Sequence, residues 1–124
     1  MKRRLFAQAA LAATTAGLLM GAPTSGFAQA YPSAPIKFIV GFPPGGSTDL
    51  VTRILAAQMS EELKQTIVVE NKPGAGGTIA SKMVASAPAD GYTIFLGTLA
   101  THGINPVLQK NLPFDHIKDF TMIS

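Results

Sequence analysis

Three short segments rich in glycine and hydroxyl residues each follow an apolar run. They are Phe42-Pro43-Pro44-Gly45-Gly46-Ser47-Thr48-Asp49, Asn71-Lys72-Pro73-Gly74-Ala75-Gly76-Gly77-Thr78 and Gly97-Thr98-Leu99-Ala100-Thr101-His102-Gly103-Ile104-Asn105. Glycine lets backbone come close to a ligand, and a helix opening just beyond presents unpaired N–H groups carrying partial positive charge. The chemistry this suits is reversible capture of an anion. In the first segment Ser47 and Thr48 add hydroxyl donors, and Asp49 reads as a helix-start carboxylate or loop brace rather than a base. In the second, the backbone around Ala75 and Gly76 is the better candidate, and Lys72 beside a proline reads as a solvated surface residue. In the third, Thr98, Thr101, His102 and Asn105 gather hydrogen-bonding groups. His102 reads equally well as a structural bridge and as a ligand contact.

Covalent chemistry finds no support in these segments. A phosphate-binding loop needs lysine and a hydroxyl directly after its glycines, whereas Ser47-Thr48 follow Gly46. Pro43-Pro44-Gly45-Gly46 lacks the spacing of a dinucleotide fingerprint. No serine sits in a Gly-x-Ser-x-Gly elbow. No His/Cys/Glu set has metal-ligand spacing, and His116 stands in a separate, peripheral segment. The reading is a binding module with no catalytic residues, no metal and no cofactor.

Positioning such loops requires regular elements. Tyr31 to Pro35 is an extended lead-in, because Pro32 and Pro35 discourage helix. Ile36 to Phe42 reads as a strand apolar on both faces, as in a covered parallel sheet. A helix runs from the Ser47-Thr48-Asp49 cap to about Lys64. Its expected core stripe is Leu50, Ile54, Met59 and Leu63, joined by Val51 and Leu55, with Arg53, Glu61, Glu62 and Lys64 outward. Thr66 to Glu70 is a second strand. A helix then opens at Gly77 or Thr78 and ends near Ser86, with Ile79, Met83 and Val84 inward. Tyr92 to Leu96 is a third strand, followed by a short helical stretch near Asn105 to Gln109. This βαβαβ order implies a doubly wound α/β layer, with all three segments at the carboxyl ends of the strands, where open α/β sheets bind ligands.

Composition narrows the partners. Of ten basic residues, Lys2, Arg3 and Arg4 lie in the first thirty, leaving seven basic against seven acidic residues beyond them. That neutral, interspersed balance lacks the clustered basic footprint of a nucleic-acid binder. Met1-Lys2-Arg3-Arg4, the apolar stretch Leu5 to Met20 and Ala28-Gln29-Ala30 form a secretory signal with cleavage expected after Ala30. Gly17, Gly21, Pro23 and Thr24 interrupt the run before it reaches the length of a membrane span. Cysteine is absent, so disulfides do not staple the exported chain. Residues 31–124 can form one small core, and the apolar run Phe120 to Ser124 reads as the opening of a further strand. The expectation is the amino-terminal part of a longer protein.

In combination these stretches resemble the extracytoplasmic solute receptors of tripartite tricarboxylate transporters, the Bug or TctC-like family. The resemblance rests on Ile39-Val40-Gly41-Phe42-Pro43-Pro44-Gly45-Gly46-Ser47-Thr48-Asp49 and Val68-Val69-Glu70-Asn71-Lys72-Pro73-Gly74-Ala75-Gly76-Gly77. It continues through Ala87-Pro88-Ala89-Asp90-Gly91-Tyr92-Thr93, Gly97-Thr98, Thr101-His102, Asn105-Pro106, Pro113-Phe114-Asp115 and Lys118-Asp119-Phe120. Gly41 stands where many members carry proline. The resemblance implies a two-domain, type II periplasmic-binding-protein fold, of which residues 31–124 supply most of the first domain and the second is absent. It implies a monomeric receptor that closes on a small organic acid anion and delivers it to membrane permease subunits. Di- and tricarboxylates, acidic amino acids and aromatic acids are the implied ligands. The contacts carried over are Phe42, Gly46, Ser47, Thr48, Asp49, Thr98, Thr101, His102 and Asn105. A sensing receptor for a membrane kinase, a truncated remnant that binds nothing and, last, an exported α/β enzyme are the alternatives.

Overall fold

The structure, a computed structural model, describes residues 30–124; the signal and most of its cleavage motif lie outside the described residues. Eight elements follow one another. They are β1 (Ile36–Val40), α1 (Ser47–Leu63), β2 (Ile67–Asn71), a 3-10 turn (Ala75–Gly77), α2 (Thr78–Ala85), β3 (Thr93–Phe95), a π-helical turn (Leu99–Ile104) and α3 (Asn105–Leu108). The strands form one sheet in the order β2-β1-β3. Both pairings are parallel, with Ile36 beside Ile67, Val40 beside Asn71 and Ile39 beside Phe95. The βαβαβ expectation holds.

The central strand explains why. Ile36, Phe38, Ile39 and Val40 are all buried, although consecutive side chains point to opposite faces. Such a strand needs cover on both sides. Chain direction reverses between the β1-to-β2 and β2-to-β3 crossovers, and the right-handed rule then places α1 and α2 on opposite faces. The lead-in is tied down as well: Tyr31 donates its hydroxyl to the Gly91 carbonyl at 2.7 Å and packs edge-on against Tyr92.

The helices bury a different side from the one expected. In α1 the buried residues are Asp49, Thr52 and Ala56, whereas Leu50 is 61% and Ile54 57% exposed. Val51, Leu55 and Leu63 are exposed too, and Met59 is half-buried. Arg53 does reach solvent, but its head turns back onto Asp49. In α2, Thr78, Ala80 and Ser81 are buried, Ile79 and Met83 are exposed, and Val84 is half-buried. The reason is steric. A helix lying close on a sheet puts small side chains at the contact, and Thr52 and Ser81 satisfy their hydroxyls on the Thr48 and Gly77 carbonyls.

Boundaries shift modestly. β1 ends at Val40, because Gly41 and Phe42 bend away, and β2 is displaced one residue towards Asn71. β3 keeps only Thr93–Phe95. Residues 120–124 form no strand, since nothing in the described residues pairs with them.

Candidate functional site

All three glycine-rich loops emerge at the carboxyl ends of their strands, and their meeting point is Gly77. A side-chain carbon there would lie 2.5 Å from Thr101 Cγ2 and 3.7 Å from the Phe42 ring. Gly77 also holds φ at 90°, a conformation that disfavours any Cβ. Gly41 also approaches it closely, since a Cβ there would stand 3.0 Å from Gly77 Cα. One residue of the second loop therefore touches the first and third together.

Polar side chains lock the arrangement. Asp49, almost wholly buried, accepts from the Gly45 N–H at 2.9 Å and from Arg53 Nε at 3.0 Å on one oxygen. Its other oxygen accepts from Asn71 Nδ2 at 2.9 Å, and the same Asn71 amide donates to the Phe42 carbonyl at 3.1 Å. The Arg53 hydrogen bond, the Gly45 amide and Asn71 lower the Asp49 pKa to about 2. Asn105 plays the matching part between the second and third loops. Its amide donates to the Gly76 carbonyl at 3.0 Å and to Thr78 Oγ1 at 3.2 Å.

Three of the expected ligand residues, Asp49, Thr101 and Asn105, are buried and direct polar atoms into the protein, where they tie the loops together. The expected side-chain cap of α1 is also absent. Gly46 is the N-cap, and no side-chain hydrogen bond closes the helix start. That leaves donors open. Among the described residues, the N–H groups of Ser47 and Thr48, of Ala75 and Gly76, and of Leu99 and Ala100 have no hydrogen-bond partner. Gly46, Ser47, Ala75 and Gly76 are exposed, and Phe42, Thr48 and Thr98 are half-buried. Lys72 pairs with Glu70 at 3.2 Å, as a surface lysine would.

Two ties lie outside the sequence reading, which places Arg53 outward and Asn71 only in a turn. An acid and an arginine four residues apart at a helix start are a signal for the first. Nothing local marks the second, because its partners lie 18, 22 and 29 residues away.

The third loop is built around Thr98. A capping box links Thr98 and Thr101: the Thr101 N–H donates to Thr98 Oγ1 and the Thr98 N–H to Thr101 Oγ1. His102 Nδ1 lies 2.9 Å from Thr101 Oγ1, a contact within the loop itself. Its ring sits 5.9 Å from Phe95 and 5.0 Å from Phe120. Desolvation, then the charge of His116, lower its pKa. No group of three or more metal-ligating side chains occurs among the described residues.

The arrangement presents neutral donors from three loops at one sheet edge, suited to an anion. The family model of the tripartite tricarboxylate transporter family receptor, TctC, matches residues 51–124. The chain belongs to this family. It is 40% identical to Protein BugT of Bordetella pertussis over 122 residues, which are 98% of this chain and 36% of BugT. Among solved structures, a periplasmic transporter is 51% identical with a TM-score of 0.70, over 72% of this chain and 30% of that one. MatC from Rhodopseudomonas palustris with bound malate is 43% identical, with a TM-score of 0.70, over 73% and 31%. An R. palustris protein with adipate is 37% identical, with a TM-score of 0.67, over 69% and 29%. The TctC family is one of transporter receptors and not of enzymes. The chain spans about a third of the length of the relatives it matches.

Proposed function

We propose that residues 31–124 form the first wall of a periplasmic receptor site for a small organic acid, freed by cleavage after Ala30. The carrying observation is the set of unpartnered N–H groups on three loops meeting at Gly77. A carboxylate offers two oxygens with several lone pairs, and it matches clustered amides better than a neutral ligand does. Malate in MatC and adipate in the second R. palustris protein support an acid of this class. Ser47 and Thr48 contribute amides and hydroxyls, Ala75 and Gly76 contribute backbone, and Thr98 contributes its hydroxyl. Phe42 and Gly46 shape the approach. Delivery to membrane permease subunits follows from the family's transport role.

Residues 31–124 taken on their own leave the acid open to water, so each hydrogen bond competes with solvation. The expected affinity is in the millimolar range, about −4 kcal/mol. Calorimetry with malate, adipate and dimethyl malate tests the reading. The two acids should bind at millimolar concentration and the uncharged ester should not. Equal binding of the ester, or no heat from either acid at tens of millimolar, overturns it.

A further inference from the structure

We propose that His102 is a positioning residue that sets, through Thr101, whether the Thr98 hydroxyl can donate to a bound anion. This rests on the proposed carboxylate site. The observation behind it is the crowding around Thr101 Oγ1, a fully buried atom with four polar neighbours. The Thr98 N–H donates to it at 2.8 Å, His102 Nδ1 lies at 2.9 Å, the Thr98 carbonyl at 3.1 Å and Thr98 Oγ1 at 3.3 Å. A hydroxyl has one proton and two lone pairs. The Thr98 amide fills one lone pair, so the other neighbours share one lone pair and one proton.

Two arrangements satisfy this count. When Nδ1 carries no proton, Thr101 must donate to it, because two facing lone pairs would repel at 2.9 Å. Its remaining lone pair then receives the Thr98 hydroxyl, whose proton points inward. When Nδ1 carries a proton, that N–H fills the remaining lone pair. Thr101 turns its own proton to the Thr98 carbonyl, and the Thr98 proton is free to face a ligand. Each hydroxyl keeps its proton and rotates. The ring either takes one proton from solvent or, while neutral, changes tautomer.

A bound anion favours the second arrangement. It therefore raises the tendency of Nδ1 to hold a proton, and by reciprocity a protonated ring tightens anion binding. Partial burial, then the charge of His116, lower the free ring's pKa, which favours its unprotonated form. The two rings that flank it, Phe95 from β3 and Phe120 from the final segment, carry no charge. That segment also bears Asp115, His116, Lys118 and Asp119, and Asp115 is paired with Lys118.

The test is nitrogen-15 NMR of the His102 ring in the whole chain, with and without saturating adipate, between pH 6 and 8. At pH 8 the bound ring should show Nδ1 protonated and Nε2 bare. Affinity should be about tenfold tighter with the ring protonated, the scale of one hydrogen bond to a charged group, and the ring's midpoint should rise by the logarithm of that ratio. Thr101→Ser should keep both effects. Thr101→Val should lose the tautomer preference while a plain charge effect survives. A bound ring with bare Nδ1, or an unmoved midpoint in a chain that still binds adipate, overturns the proposal. Absence of adipate-dependent shifts at Ser47, Thr48 and Thr98 overturns the carboxylate site itself.

Discussion

Asp49 was legible as a loop brace from its place at a helix start, yet the size of its role was not. Its carboxylate gathers an amide from its own loop, an arginine one turn on and an asparagine from the next strand. Because these donors favour the ionised form, its folded pKa is lowered from the ordinary 3.8 to about 2. The stabilisation is fully present above pH 4 and is lost as pH falls through 2. Asp115, lowered by the Lys118 and Ile117 amides, adds to the same acid loss. Thermal melts from pH 5 to 2 should show a falling midpoint, and Asp49→Asn should flatten part of that fall while lowering stability at pH 7. A variant whose acid dependence matches the parent would remove Asp49 from this role. His102 was ambiguous in sequence because a histidine's partners are set by folding, here by the neighbouring threonine and two distant phenylalanines.

At the level of elements, sequence periodicity located strands and helices well and chose the wrong side of the helices. Leu50, Val51, Ile54 and Leu55 lie at helical spacing, which normally marks a buried stripe. The sheet instead meets Thr52 and Ala56, small residues whose contribution a hydropathy pattern undervalues. Stability should report this directly. Ile54→Gln in this chain should change unfolding free energy by less than about 0.5 kcal/mol. Ile39→Ala, in the centre of β1, should cost about 2–4 kcal/mol. Urea unfolding of the two variants decides between the sides, and a larger loss at Ile54 would contradict the packing. Gly77→Ala should cost on the order of 2 kcal/mol, because φ is positive and Thr101 must move. Its melting temperature provides the check.

Across the whole molecule, three loops leave the carboxyl ends of a small parallel sheet at one edge. Each loop was visible in the sequence as glycine and hydroxyl residues after an apolar run. Their convergence was legible from the βαβαβ order, since parallel strands bring their carboxyl ends to one edge. The side-chain ties that hold the edge together were not legible, because Asn71 and Asn105 act across roughly thirty residues of chain. The direct test of that shared edge is an amide map during titration with malate. The N–H signals of Ser47, Thr48, Ala75, Gly76, Leu99 and Ala100 should move together, with one millimolar midpoint, while those of β2 and the outer face of α1 stay still. Movement confined to one loop, or centred on the outer face of α1, would contradict a single carboxylate cradle built from all three.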